Sequence, residues 1–302
     1  MHHIDLNCDM GELPEAVADG TQEALLRSIT SANVASGGHA GDAQTMRTTI
    51  EQALRAGVAV GAHPGYPDRA NFGRLELKMP LEALADSICV QLRALAEIAA
   101  ACGARLVHVK PHGALYNQAV KDRALAEAIA AGVAKAAGLD LPNNTVSCHP
   151  ERSQEVVIPS RATAIRSASA TGEVEGSASF SSQTGALRQG IVLVGLAGSP
   201  MLDVFRQAGF PVAAEAFADR RYQPDGTLRS RKFDDALIRD PAEAARQALS
   251  IAQHGIVTAH DGTEVQLTAQ TICIHGDTPG APQIAAAVAR ALRDAGIVLR
   301  SL

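Results

Sequence analysis

The stretch Ile4-Asp5-Leu6-Asn7-Cys8-Asp9-Met10-Gly11-Glu12 decides the fold of this chain. Successive side chains of a strand point to opposite sides, so Asp5, Asn7 and Asp9 share one face and the apolar or small residues between them share the other. A row of two carboxylates and an amide is costly to bury without partners. The stretch therefore predicts a strand that faces a polar chamber.

The same alternation recurs in five later segments of the chain. The residues that share a face are Asn33, Gly37 and His39; Ala59, Gly61 and His63; His108, Lys110 and His112; Glu215, Phe217 and Asp219; and Cys273, His275 and Asp277. Open α/β sheets bind ligands at one switch point, whereas barrels draw site residues from the ends of many strands. Six contributing strands favour a closed barrel.

Helical and strand patterns alternate along most of the chain, as in repeated βαβ units. The predicted strands include 58–62, 106–110, 191–195, 212–217 and 271–274, and the predicted helices are 42–56, 80–102, 122–137, 241–253 and 279–295. Residues 256–267 are typical of a small hairpin around Asp261-Gly262 instead of a βα unit. We predict an irregular α/β barrel of seven or eight strands.

Length and composition predict a single domain spanning residues 1–302, because 46% hydrophobic residues can build a sizeable core. The net charge of −5 argues against a nucleic-acid partner. The sequence shows neither a leader pattern nor an apolar run of membrane-spanning length, and its five cysteines form no CxxC pair. We expect no membrane association and a cytoplasmic location.

Residues 141–190 interrupt the alternation of strand and helix patterns. This segment contains nine serines and no sustained apolar periodicity. Such a composition cannot bury enough apolar area to offset the entropy of ordering it. A structureless loop of this length is uncommon inside a compact domain. We therefore predict a disordered or irregular insertion within the domain, placed between a helix and a strand.

Individual residues indicate chemistry, each with a structural alternative beside it. Lys110 on an inward strand face is costly unless it meets an anion. His108, one step deeper, is typical of a satisfied interior histidine. Asp42 is as typical of a helix N-cap as of a ligand. The segment 63–74 is long enough to form a lid or a specificity loop.

Two cofactor questions remain open at this point. No P-loop or dinucleotide fingerprint is present, so any bound ATP is held in another way. Imidazole and carboxylate suit Zn, Mn or Fe, so Asp9, His39, His63, His112 and His275 could build a divalent-metal site. Spacing alone leaves a protein-bound metal unknown.

At these residues the chain resembles the LamB/YcsF family. The matching motifs are the opening stretch 4–12, GAHPGYPD at 61–68, VKPHGALYN at 109–117, EAFADRRY at 215–222 and CIHGDTP at 273–279. They occur in the family's order on both sides of 141–190, a segment with no recognised counterpart. Gly38 departs from the family pattern, which usually has a phenylalanine before His39.

The resemblance implies a barrel related to the glycoside hydrolase/deacetylase superfamily. It also implies ATP-dependent opening of 5-oxo-L-proline (pyroglutamate) to L-glutamate, with ATP accompanied by Mg²⁺. The chain would act together with two partner subunits of a 5-oxoprolinase, B and C. Phosphorylation of the lactam oxygen, attack by water and departure of nitrogen require cations, a base and an acid.

The expected roles follow from that chemistry. The candidate catalytic residues are Asp9 or Glu215 as the base and His63 or His112 as the acid. The candidate substrate-binding or phosphate-binding residues are Asp5, Asn7, Asn33, His39, Lys110, Asp219, Arg220, His275 and Asp277, with Lys110 and Arg220 as clamps. The alternative functions are a metal-dependent deacetylase-like hydrolase and a non-catalytic binding subunit.

Overall fold

The computed structural model describes residues 3–139 and 187–302. Its strands are β1 His3–Met10, β2 Ser31–Ala35, β3 Ala59–His63, β4 Leu106–Val109, β5 Leu187–Leu196, β6 Val212–Phe217, β7 Ile256–Thr258, β8 Glu264–Gln266, β9 Thr271–Ile274 and β10 Val298–Leu299. Its helices are α1 Pro14–Ala18, α2 Thr21–Leu26, α3 Ala43–Ala56, α4 Leu81–Ala101, α5 Gly113–Ala119, α6 Arg123–Ala137, α7 Pro200–Gln207, α8 Pro241–His254 and α9 Ala281–Asp294, with a 3₁₀ turn at Arg69–Asn71.

Seven parallel strands close into a barrel in the order β1-β2-β3-β4-β5-β6-β9, because β9 also pairs with β1. The register places Asn7 opposite Ser31 on one side and opposite Cys273 on the other. Strand β10 extends the sheet beside the start of β1. The predicted barrel and the predicted hairpin, formed by antiparallel β7 and β8, are confirmed.

The helices pack outside the barrel through apolar stripes. In α4, Leu84, Ile88, Leu92 and Leu95 recur at helical spacing, and each is 0% exposed. The helices begin and end at the capping residues that the sequence predicts. The side chains of Asp42, Asp122 and Asp240 accept backbone hydrogen bonds at helix N-caps, and Gly57, Gly138 and Gly255 adopt left-handed C-caps.

The polar face of β1 points into the barrel. Asn7 donates a hydrogen bond to Glu215 on β6 and lies 3.4 Å from the ammonium of Lys110, which follows β4. Neither strand is a neighbour of β1, so these contacts cross the interior. Leu6 and Cys8, on the opposite face, belong to the apolar core beneath the helices.

The sequence expectations about strand bounds need correction. Strand β2 ends at Ala35, so Gly37 and His39 are not on its face: Gly37 has φ of +93°, which turns the chain out of the strand. Strands β4, β6 and β9 end at Val109, Phe217 and Ile274, so the predicted site residues beyond those ends lie in the segments that follow the strands: Lys110, His112, Asp219, His275 and Asp277. Leu187–Gly190, counted with the insertion, belong to strand β5. The rest of the predicted insertion, residues 141–186, lies outside the described residues.

A membrane-spanning helix was not found in the described parts of the chain, where every helix is too short or too polar to cross a bilayer.

Candidate active site in the barrel centre

Asp5 forms the deepest layer of the site and is fully engaged by hydroxyl groups. Its Oδ1 accepts from Thr30 at 2.6 Å and Ser31 at 2.7 Å, and its Oδ2 accepts from Thr271 at 2.5 Å. Burial raises the pKa of this carboxyl despite those donors. Asp5 therefore ties three strands together, a contribution to the fold and not to the ligand surface.

Two amides and a histidine make the next layer. The amide nitrogen of Asn33 donates to Asn7 at 2.7 Å and to Asp9 at 2.8 Å, while His108 Nε2 donates to the Asn33 oxygen at 2.7 Å. Burial lowers the pKa of His108 to about 3, so the ring is neutral. Gly61 provides room for it, since a Cβ at that position would lie 2.1 Å from the imidazole.

Lys110 lies at the centre of the chamber between two carboxylates. Its Nζ is 2.9 Å from Glu215 Oε1 and 3.0 Å from Asp9 Oδ1, and it donates to the Cys273 sulfur at 2.9 Å. Burial disfavours the charge, but Asp9, Cys273 and Glu215 outweigh it and hold the pKa of Lys110 well above its ordinary value. The ammonium group is thus a fixed positive charge.

Asp9 connects this lysine to a group of histidines. Its Oδ2 lies 3.4 Å from His63 Nε2. Burial opposes ionisation of Asp9, but His63 and Lys110 outweigh it and place the pKa well below its usual range. Burial likewise opposes the charged form of His63, and Asp9 overcomes this to raise the pKa of the imidazole. Asp9 and His63 therefore each favour the charged form of the other across this contact.

Glu12 holds the histidines together and was missed as a site residue by sequence reasoning. Its Oε1 lies 3.0 Å from His39 Nε2, 3.1 Å from His112 Nδ1 and 3.6 Å from His63 Nε2. The left-handed turn at Gly11, with φ of +71°, carries the chain from the strand end to this position. The signal was present in the opening motif, three residues after Asp9.

The segment from His63 to Arg74 covers these histidines. Tyr66 is 0% exposed, and its hydroxyl donates to Gln118 at 2.6 Å. The carbonyl of Phe72 accepts from His112 Nε2 at 2.9 Å, and the Phe72 ring meets the His112 ring edge to face. The segment seals one side of the chamber.

A second polar group lies at the ends of β6 and β9. Asp219 accepts from the His275 backbone at 3.0 Å, from His275 Nδ1 at 3.0 Å and from the Thr278 hydroxyl at 2.7 Å. Burial opposes ionisation, but His275 and Thr278 lower the pKa of Asp219. This group lies beside the first, because ligand atoms of Asp9, Cys273 and His275 all fall within 4.8 Å of one another.

Asp277 joins three loops at the mouth of the barrel. Its carboxylate pairs with Arg231 at 2.8 Å and also with Arg74. A cavity of about 20 Å³ between Asp277, Asp9 and Glu12 has room for roughly one water molecule.

Arg220, expected from the sequence to be a clamp for phosphate or carboxylate, is buried and partly occupied by a backbone contact. It is 4% exposed, and its Nη2 donates to the backbone carbonyl of Arg229 at 2.6 Å, while its Nε has no partner among the described residues. Burial lowers its pKa to about 10. Arg221, by contrast, pairs with Glu243 at 2.7 Å in a partly exposed position.

The departure at Gly38 has a local explanation. A Cβ on Gly38 would lie 2.4 Å from the Gln91 side-chain oxygen. That amide is fixed on Gly65: Gly65 N donates to its oxygen at 3.1 Å, and its nitrogen donates to the Gly65 carbonyl at 2.8 Å. In this chain the Gln91 amide fills the space beside residue 38.

Fold and site together define the class: a closed parallel βα barrel with a buried lysine, carboxylates and histidines at the C-terminal ends of its strands. The LamB/YcsF family model matches residues 4–171 and 167–302, and the chain belongs to the LamB/YcsF family. This membership confirms the resemblance on which the sequence expectations drew. The matches run through residues 141–190, so the expectation that this segment has no counterpart in the family is wrong.

Individual relatives extend along the whole chain. It is 44% identical over 301 residues to the A subunit of 5-oxoprolinase from Chloroflexus aggregans, with 100% of this chain and 99% of the relative covered. The lactam utilization protein of Thermus thermophilus is 35% identical, with a TM-score of 0.76 over 99% of this chain and 100% of that one.

A more distant solved structure shares the fold alone. It is an Enterococcus faecalis V583 protein, proposed to cleave cellobiose phosphate, with 14% identity and a TM-score of 0.51 over 99% of this chain and 97% of that one.

Proposed function

We propose that this chain carries out the ATP-dependent hydrolytic opening of 5-oxo-L-proline to L-glutamate, as the A component of an enzyme completed by B and C subunits. A full-length relative at 44% identity is named as the A subunit of 5-oxoprolinase, and a solved relative is named for lactam utilization. The word subunit in the first of these names supports a multi-subunit assembly. ATP would act as co-substrate together with Mg²⁺.

The chemistry requires activation because a lactam is an unreactive amide. Attack of the lactam oxygen on the γ-phosphorus of ATP forms a C–O–P linkage and expels ADP. Water adds to the activated carbon, the C–N bond breaks as nitrogen takes up a proton, and a second water releases phosphate. The site must therefore supply a cation, a base and an acid.

The observation that carries the proposal is the buried lysine between two carboxylates. Lys110 lies 3.0 Å from Asp9 and 2.9 Å from Glu215, where a charge acts with little screening by solvent. Lys110 would hold the developing negative charge on the lactam or phosphoryl oxygen. Asp9, held ionised, would orient and deprotonate water, and Glu215 would keep the ammonium in place.

The acid is assigned to the proton shared by His63 and His112, whose facing nitrogens are 2.9 Å apart. Burial lowers the pKa of His63, but Asp9 outweighs this effect and raises it, which favours the protonated ring. Arg220 is a weaker phosphate clamp than expected from the sequence, because one of its donors is already bound to the Arg229 carbonyl.

A coupled assay for ADP and L-glutamate formed from 5-oxo-L-proline tests the proposal. The chain is assayed alone and then with its B and C partners, with ATP and Mg²⁺ present. We expect both products in equal amounts only when the partners are present. Absence of glutamate with all three components would reject the assignment.

A further inference from the structure

The imidazoles of His63 and His112 face each other across a gap of 2.9 Å between two ring nitrogens. His63 Nδ1 lies 2.8 Å from the Lys110 carbonyl, and His112 Nε2 lies 2.9 Å from the Phe72 carbonyl. Carbonyl oxygens only accept, so each of these nitrogens carries its ring hydrogen. In neutral rings the other two nitrogens, 2.9 Å apart, therefore direct lone pairs at each other.

Two facing lone pairs repel, so the gap requires a positive species. A carboxylate completes the arrangement, since Glu12 Oε1 lies 3.1 Å from His112 Nδ1 and 3.6 Å from His63 Nε2. Donors of a tetrahedral site with metal–ligand distances of about 2.0–2.2 Å lie roughly 3.3–3.6 Å apart. The three separations here, 2.9, 3.1 and 3.6 Å, are close to that spacing.

His39 has a different part in this cluster. Its ring is stacked on His112 with centroids 3.6 Å apart and planes inclined by 3°, so one ion cannot lie in both ring planes. Its Nε2 instead lies 3.0 Å from Glu12 Oε1, where it donates to the carboxylate. An outer partner of this kind orients a ligand without touching the ion.

We propose that Glu12, His63 and His112 form a binding site for a borderline-soft divalent cation such as Zn²⁺, positioned by His39. Two imidazoles and a carboxylate are a zinc donor set, whereas Mg²⁺ and Ca²⁺ prefer oxygen ligands. This site is therefore distinct from any Mg²⁺ that accompanies ATP. All four side chains are buried, and each outer ring hydrogen of the two ligating histidines is held by a backbone carbonyl.

Imidazole and carboxylate groups bind a cation in their deprotonated forms, so uptake of Zn²⁺ at such a site releases protons. The inference goes beyond ring opening and does not rest on it, because cation binding is measured without turnover.

Calorimetric titration of chelator-treated, tag-free protein with Zn²⁺ tests the site, in two buffers of different ionisation enthalpy. We expect one Zn²⁺ per chain at micromolar or tighter affinity, with proton release. His63→Gln and His112→Gln should each weaken binding more than about a hundredfold, and His39→Ala by about ten- to a hundredfold. The matched control His254→Gln removes an exposed histidine and should bind as wild type does.

A second measurement does not depend on whether the variants fold. Wild-type protein loaded with Co²⁺ should show the visible absorption of a low-symmetry nitrogen and oxygen site, and Zn²⁺ should abolish that absorption. Wild-type protein that takes up no stoichiometric Zn²⁺, or folded His63→Gln and His112→Gln variants that retain wild-type affinity, would overturn the inference.

Discussion

The ammonium nitrogen of Lys110 lies 2.9 Å from Oε1 of Glu215, and the two side chains are 3% and 0% exposed. A buried ion pair is costly to break because the remaining charge keeps its desolvation penalty without its partner. The pair therefore couples the stability of the barrel to the residues proposed for catalysis.

Lys110→Met should destabilise the fold by about 3–5 kcal/mol, because Glu215 and Asp9 then lose their buried cation. The measurement is the free energy of unfolding in guanidinium chloride. Lys110→Met combined with Glu215→Gln should recover part of the loss. Lys121→Met, in the exposed pair with Asp225, serves as control and should cost less than about 1 kcal/mol.

Asp9→Asn should abolish glutamate formation in the three-component assay, because the amide cannot take a proton from water. His112→Ala should do the same through loss of the shared proton. Circular dichroism checks that the fold is kept, and Asp225→Asn, at an exposed position, should retain wild-type turnover. Wild-type rates in both folded variants would rule out this site.

Glu12→Gln should lower turnover by about 10²–10⁴-fold, the range of general acid–base catalysis, because the carboxylate orients His39 and His112. The matched control is Glu15→Gln, an exposed acid three residues further on. Comparison of kcat and KM separates the effects: loss confined to kcat indicates proton transfer, whereas a rise confined to KM would contradict this role.

Gly38→Ala should destabilise the chain by about 1–3 kcal/mol, because its Cβ would displace the Gln91 amide from Gly65. Gln91→Ala removes the amide that the new Cβ would contact. The double variant should therefore lose less stability than the sum of the losses in the two single variants. Thermal unfolding of the four proteins forms a double-mutant cycle. Strict additivity would show that Gln91 does not compensate for the missing aromatic side chain.

The stability of the protein should fall as the pH decreases from about 6.5, partly through His108. Burial holds the pKa of this ring at about 3 in the folded state, against about 6.5 when unfolded. Between those values the unfolded chain binds a proton that the folded chain does not, which costs up to about 1.4 kcal/mol per pH unit. His108→Gln should flatten this slope, and the exposed control His254→Gln should not.

Much of the architecture could be predicted because two of its signals are local in sequence: the alternation of side chains along a strand, and the capping residues at the ends of helices. The strands 212–217 and 271–274 have the predicted bounds. Asp42 is the N-cap of α3, one of the two roles predicted for it. The alternation Asp5, Asn7, Asp9 correctly placed three polar side chains inside the barrel. Each of these follows from a residue and its near neighbours in the sequence.

The parts that were missed depend on contacts between distant segments. Glu12 becomes a centre of the site only because His39, His63 and His112 reach it from three other parts of the chain. Asp5 was expected at the ligand surface, but hydroxyls from β9 and from the start of β2 use its oxygens. The alternation of side chains predicts which face of a strand a residue lies on. It does not predict how deep in the barrel that side chain lies or which partners it contacts.

The pairing of β1 with β9 has a consequence during synthesis on the ribosome. The first strand to emerge must wait for residues 271–274 before its second edge is covered, and a long parallel closure of this kind is slow. Until then the Asn7 side chain lacks Thr271, its partner at 2.6 Å. A truncated nascent chain would thus carry an open, aggregation-prone edge, and the chemical centre is completed among the last events of folding.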